Sequence, residues 1–200
     1  MIIDSKPPLL IYLHGFNSSP DSFKARFLGE YLSQRGAEKR YLVPALSYQP
    51  AEALASVRQL IEQHAATAEI TLIGSSLGGY YATNLAEQYG LRAVLINPAV
   101  YPYRLLKDYL GINRNYHTGE EYEMKPEYMQ QLLDIEVPYI SEPQRFLVLL
   151  QTADETLDYR EAAEKYANAQ LCIEQGGSHG FDDFEQKIPQ LLEFAGFQLS

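Results

Sequence analysis

Ser76 sits at the centre of Gly74-Ser75-Ser76-Leu77-Gly78, directly after the apolar run Ile70-Thr71-Leu72-Ile73 and directly before a stretch with helical spacing. Strand, sharp turn and helix in that order form a nucleophile elbow. The turn exposes a hydroxyl so that a base can take its proton and backbone amides can receive the oxyanion that follows. The flanking glycines have a steric reason to be there, because a side chain at 74 or 78 would collide with the neighbouring strand or helix. Such a serine supports acyl transfer through a covalent intermediate, and it needs a base and a group that orients the base.

On this arrangement of elements the chain order is serine, acid, histidine. Of the four histidines only His117 and His179 follow Ser76, and His179 lies in a glycine-bracketed loop just after the last apolar run. His179 is therefore the expected base and His117 the second choice. Asp154, immediately after the run Phe146 to Leu150, is the expected orienting acid, with Glu155 and Asp158 as competitors. Asp158 is better suited to cap the helical segment beginning near Tyr159, since a short carboxylate there satisfies free amides. Two backbone donors must face the developing oxyanion. Leu77, the residue after the nucleophile, supplies one, and Phe16 in the loop His14 to Ser19 the other, with Asn17 as the alternative. His14 precedes the serine and is expected to pack or hydrogen-bond beneath that loop, and a solvated or structural role is expected for His64.

These residues require a scaffold that gathers distant loops on one edge. Short apolar runs recur at Leu9 to Leu13, Tyr41 to Leu46, Ile70 to Ile73, Ala93 to Ile96, Phe146 to Leu150 and Leu171 to Ile173. Between or after them lie helical patterns at Ser22 to Arg35, Ala51 to His64, Gly79 to Tyr89, Asp158 to Ala169 and Phe184 to Phe194. The alternation predicts an α/β fold, a doubly wound, six-stranded, mostly parallel sheet with six buried strands and right-handed crossovers. Loops leaving the carboxyl ends of its strands form the binding edge, and every polar cluster named above falls there. The connection from Tyr101 to Glu142 is too long to be structureless. It is rich in tyrosine and reads either as a partly helical cap over that edge or as a surface insertion whose tyrosines pack.

Two hundred residues with 46% hydrophobic content fit a single domain spanning 1–200, with 101–142 as the cap insertion. A formal charge of −10 disfavours nucleic acid, which needs clustered Lys and Arg. The lone Cys172 allows no intramolecular disulfide and reads as a core residue in a reducing compartment. The amino terminus lacks a basic start followed by an apolar stretch, and no run approaches roughly 18 apolar residues, so no membrane span and a cytoplasmic, soluble protein are expected. No metal site is expected, because no two histidines stand at ligand spacing and no cysteine pair exists.

Several segments together resemble one family: His14-Gly15-Phe16-Asn17-Ser18-Ser19-Pro20, Gly74 to Thr83, Asn97-Pro98-Ala99-Val100, Asp154-Glu155 with Leu157 to Arg160, and Gly176-Gly177-Ser178-His179. They are similar to the YqiA-type bacterial esterases, a UPF0227-like group of the α/β-hydrolase superfamily, and the resemblance runs from the first strand nearly to the end. It implies a small cytoplasmic serine esterase that cleaves short-chain acyl esters or acyl thioesters without a cofactor. By motif position it puts that family's serine, aspartate and histidine on Ser76, Asp154 and His179. Ala153 stands where the family commonly has glycine, and Ser178 where a larger polar residue often precedes the histidine. The chain also resembles a minimal version of the fold, starting at the strand that bears the oxyanion loop.

Three function classes compete. The first is a carboxylic ester hydrolase acting on a small-molecule acyl ester. The second is an acyl-CoA thioesterase, for which Arg104, Lys107, Arg114 and Lys125 would form the basic patch, although Asp108, Glu120, Glu121 and Glu123 interleave with them. The third is a non-enzymatic binding protein of the same fold. Acyl length and oligomeric state are not encoded in these patterns.

Overall fold

The computed structural model describes residues 6–198, so Met1 to Ser5, part of the amino terminus discussed above, lies outside the described residues. Six strands form one sheet: β1 (Pro8–Leu13), β2 (Tyr41–Leu42), β3 (Glu69–Ser75), β4 (Arg92–Ile96), β7 (Phe146–Gln151) and β8 (Gln170–Glu174). Its order is β2-β1-β3-β4-β7-β8, and every pairing within it is parallel. The four central strands are continuous apolar runs because both faces are covered, as parallel sheets require.

Period-two alternation sorts each strand between two cores. Leu9, Ile11 and Leu13 of β1 face helices α2 (Pro50–His64), α3 (Leu77–Tyr89) and α6 (Tyr159–Lys165), whereas Leu10 and Tyr12 face α1 (Phe23–Ser33) and α7 (Ile188–Phe194). Burying one such side chain contributes about 1.5–3 kcal/mol, so two complete faces, rather than helix propensity, hold the layers together. The strand order reverses direction between β1 and β3. Loops leaving the carboxyl ends of these two strands therefore diverge and open a crevice at the switch point. Register pairs Leu13 with Gly74, which brings the end of β1 alongside the elbow.

Four expectations are corrected. The second strand is only Tyr41–Leu42 rather than Tyr41 to Leu46, because the chain peels away and the Leu46 N–H donates to His14 Nε2 at 3.1 Å instead of to the sheet. Both edge strands, β2 and β8, are half-buried in part, since each has only one neighbour. Cys172 on β8 is likewise half-buried against the α7 face, with Lys187 Nζ 3.6 Å from its sulfur. The final helical pattern divides into a 3₁₀ turn, Phe184–Lys187, and α7, which begins around Pro189, a residue suited to a first helical turn.

The segment 101–142 holds α4 (Pro102–Leu106), an antiparallel hairpin of β5 (Gly111–Arg114) and β6 (Glu121–Met124), and α5 (Pro126–Asp134). The expected helical content is present, and the hairpin is an addition to it. Its strands have four residues each and alternate exposed with more buried positions, so no apolar run announces them. Tyr122, Met124 and Tyr128 form a small cluster with Phe16 and Tyr48. Leu106 and Leu132 enter the main core, and Tyr80 OH donates to Leu132 O. Among the described residues no helix is long and apolar enough to cross a membrane.

Candidate active site

The turn from β3 to α3 sets Ser76 at φ 54° and ψ −120°, a left-handed conformation that a non-glycine residue adopts only when its surroundings enforce it. The backbone around it does so. Ser76 N–H donates to Ile96 O, and Ser76 O accepts from Gly79 N–H and Ala99 N–H. A Cβ at Gly74 would lie 2.4 Å from Gly78 O, and one at Gly78 would lie 2.0 Å from Leu13 O. Both distances are inside van der Waals contact, so the close crossing of β1, β3 and α3 depends on glycine at these positions.

His179 Nε2 lies 3.0 Å from Ser76 Oγ, and its Nδ1 lies 2.8 and 3.0 Å from the two carboxylate oxygens of Asp154. A carboxylate at this distance accepts Nδ1–H, which leaves Nε2 as the acceptor for the serine hydroxyl. The Asp154 side chain is 2% exposed and that of His179 is 23% exposed, so the acid is sealed while the imidazole reaches the cleft. Asp154 Oδ1 also accepts the N–H groups of Thr156 and Leu157, which fixes the carboxylate in place.

The competing acids have other partners. Glu155 Oε2 accepts the backbone N–H of His179 at 2.9 Å, and that bond holds its carboxyl below the usual range. Asp158 accepts Arg160 N–H at the start of α6 and pairs with the Arg160 guanidinium at 2.7 Å. His117 lies in the exposed turn of the β5–β6 hairpin, and His64 ends α2.

Two residues that hold the His179 loop do not stand out as functional positions in the sequence. Asn97, at the end of β4, is 2% exposed; its Oδ1 accepts Gln151 N–H, and its Nδ2 donates to Ser178 O at 3.0 Å and His179 O at 3.3 Å. Gln151, at the end of β7, accepts Ser178 N–H and Asp182 N–H on Oε1 and donates from Nε2 to Asp182 O and Glu174. The one signal they leave is a polar side chain closing each of two apolar runs. A polar group buried there must be fully hydrogen-bonded to be tolerated.

The loop after β1 passes beside the elbow, and Phe16 and Asn17 border the same cleft as Ser76 and Leu77. Leu77 N–H is in the first helical turn and has no acceptor within its helix. Among the described residues Phe16 N–H is not given to another backbone carbonyl. Asn17 has φ 51°, and its side-chain oxygen accepts Tyr122 OH at 2.6 Å; Ser18 O accepts Asn115 Nδ2 at 3.0 Å. Beneath the loop, His14 donates Nδ1–H to Gly15 O and accepts Leu46 N–H on Nε2. A ring that accepts a hydrogen bond is neutral, in keeping with the burial that pushes its pKa down.

The cleft in front of Ser76 measures about 610 Å³, with Leu105, Leu106, Tyr109 and Leu157 among its walls. Tyr109 packs edge-on to Phe16 at 5.2 Å between ring centroids. Among the described residues no group of three or more His, Cys, Asp or Glu side chains is placed to hold a metal.

Solved structures share this architecture. Est1E from Butyrivibrio proteoclasticus, determined with ferulic acid bound, is 16% identical, covers 94% of this chain and 88% of its own, and superposes with a TM-score of 0.71. The esterase domain of a Rhodothermus marinus protein is also 16% identical, with 96% and 88% covered and a TM-score of 0.63. At such identity the likeness shows the α/β-hydrolase fold. A curated relative from Shewanella woodyi, described as a UPF0227 protein, is 25% identical over 93% of this chain and 98% of its own length. The profile of the uncharacterised protein family UPF0227 matches residues 9–196, and this chain belongs to that family.

Proposed function

We propose that the protein is a serine carboxylesterase that hydrolyses short-chain acyl esters, with Ser76 as nucleophile, His179 as base and acid, and Asp154 as its orienting partner. The observation that carries this reading is the continuous hydrogen-bonded chain from Ser76 Oγ through the His179 ring to the Asp154 carboxylate. In acylation His179 Nε2 takes the hydroxyl proton as Oγ attacks the ester carbonyl, and the oxyanion receives the N–H groups of Phe16 and Leu77. Collapse breaks the bond to the alcohol, which leaves with the proton from Nε2. Water, deprotonated by the same nitrogen, then attacks the acyl-serine; the acyl–Oγ bond breaks, the acid is released and the proton on Nε2 returns to Ser76 Oγ. Each oxyanion donor is worth about 3 kcal/mol in the transition state.

The segment 101–142 acts as the cap of this cleft, and Leu105, Leu106 and Tyr109 bound the space for a small acyl or alcohol group. The description of the Rhodothermus marinus domain as an esterase agrees with this reaction class. An acyl-CoA substrate needs free cations on the cap. Arg104, however, lies over the Tyr101 ring and 3.9 Å from Glu161, and Lys107, Arg114 and Lys125 interleave along the chain with Asp108, Glu120, Glu121 and Glu123, so the cap is a mixed-charge surface rather than a basic patch. Oxyesters are therefore the favoured substrates, and a single cysteine agrees with a cytoplasmic site of action.

Ser76→Ala is the decisive test. It is expected to lower 4-nitrophenyl butyrate hydrolysis by on the order of 10⁴-fold or more and to abolish labelling by a fluorophosphonate. A variant that keeps both activities overturns the assignment.

A further inference from the structure

Ser76 and His179 border a second recess, of about 340 Å³, which shares Phe16 and Asn17 with the first cleft but has different walls. The larger cleft is lined by leucine and tyrosine, with the carboxylates of Asp108 and Glu155 at its edge. The smaller one is lined by Lys24, His117, Tyr12, Ser18 and Ser22 among others, and among the described residues no Asp or Glu lines it. In a chain with a formal charge of −10, a recess beside the nucleophile that contains a cation and no acid is a local reversal of sign.

Lys24 is half-buried on the first turn of α1, and its Nζ donates to Gly180 O at 2.7 Å. An ammonium has three N–H donors, so this carbonyl leaves others for a ligand. Burial lowers its pKa to about 8, with the charge of Asp154 acting in the opposite direction, and the group is still mostly protonated at neutral pH. The first turn of α1 contains no acidic side chain and no side-chain cap, so its free amides add to the positive field at this wall. A neutral ester offers this ammonium little, whereas a carboxylate accepts a charge-assisted hydrogen bond roughly twice as strong as a neutral one.

We propose that this recess is an anion subsite and that the preferred substrate is an ester with a carboxylate a few bonds from the scissile linkage. Lys24 pairs with that carboxylate, and the apolar remainder lies in the 610 Å³ cleft. The recess holds a carboxylate on a short chain, and a single ammonium matches one negative charge better than a doubly charged phosphate. The proposal rests on the esterase reading of Ser76 and narrows its substrate class.

The test compares two matched pairs of esters on the full-length enzyme. In one pair the charge is on the acyl side, 4-nitrophenyl hemiglutarate against 4-nitrophenyl pentanoate. In the other it is on the alcohol side, 4-butyryloxybenzoate against its methyl ester. The readout is the anionic-to-neutral ratio of kcat/KM. Lys24→Met is expected to lower that ratio about tenfold for one pair, mainly through KM, and Lys24→Arg to retain most of it. A ratio unchanged in Lys24→Met for both pairs overturns the subsite. An equal fall in all four rates overturns it as well, because Lys24 would then act only as a support for Gly180. Hydrolysis that persists in Ser76→Ala with all four esters would instead sink the esterase reading, so the two failures are distinguishable.

Discussion

The loop that brings His179 to Ser76 hangs from buried side chains of the sheet, whereas the loop that carries Phe16 hangs from the inserted segment. Asn97 and Gln151, both almost fully buried at the ends of β4 and β7, hold Ser178, His179 and Asp182 through their backbone groups. The Phe16 loop is held from above by Tyr122 and Asn115 of the hairpin and from below by His14. The first set of anchors belongs to the layers that fold the protein, whereas of the second Tyr122 lies in a separate small cluster and Asn115 in the hairpin turn, with only His14 buried at the end of β1. Damage to the His179 loop should therefore act through folding and activity together, and damage to the Phe16 loop mainly through activity.

The largest effect is expected at Asn97. Replacement by alanine removes three hydrogen bonds, leaves Gln151 N–H buried and places alanine at φ 39°. A loss of about 2–4 kcal/mol follows, or roughly 5–15 °C in Tm, with ester hydrolysis reduced at least tenfold at about 20 °C. Thermal melts and kcat on the same preparation check this, and an unchanged Tm would break the comparison at its stronger arm.

Tyr122→Phe is the counterpart. It removes only the hydroxyl that Asn17 accepts, so kcat should fall about 5–10-fold while Tm moves by no more than about 2 °C. A loss of Tm as large as that of Asn97→Ala, with kcat intact, would show the hairpin to be a packing element alone.

The smallest effect is a pH slope. Burial holds the His14 imidazole below its ordinary value, while the unfolded chain titrates near about 6.5. As pH falls below that value the unfolded state binds a proton that the folded state refuses. Stability present above about pH 6.5 therefore declines toward the lower, folded-state pKa. His14→Gln should flatten this part of a Tm series between about pH 5 and 8, and an unaltered slope would assign it to other groups.

Much of this organisation could be read from residue order. The four central strands are continuous apolar runs, so their positions were visible without partners. Ser76 and Asp154 each follow such a run and His179 the shorter one on the edge strand β8, and the structure brings the three into one hydrogen-bonded chain. The hairpin was hard to read because its strands are only four residues long and β5 exposes its one large apolar side chain, Ile112, while half-burying Asn113, against the usual pattern of a packed strand. The early end of β2 was hidden for a related reason, since it depends on His14 capturing Leu46 N–H from 32 residues away.

The sequence by itself determined the alternation of strands and helices, the sheet edge on which the polar loops gather and the steric demand for glycine at 74 and 78, because these follow from local pattern and from backbone approaching backbone. Tertiary structure alone decided how each loop at the edge is held and what charge each recess carries. Those properties arise where Asn97 meets Ser178, Tyr122 meets Asn17 and Lys24 meets Gly180, pairs more than 80 residues apart in the chain. No pattern within either segment specifies such a contact; it exists only once the parallel sheet has brought the ends of its strands to one edge.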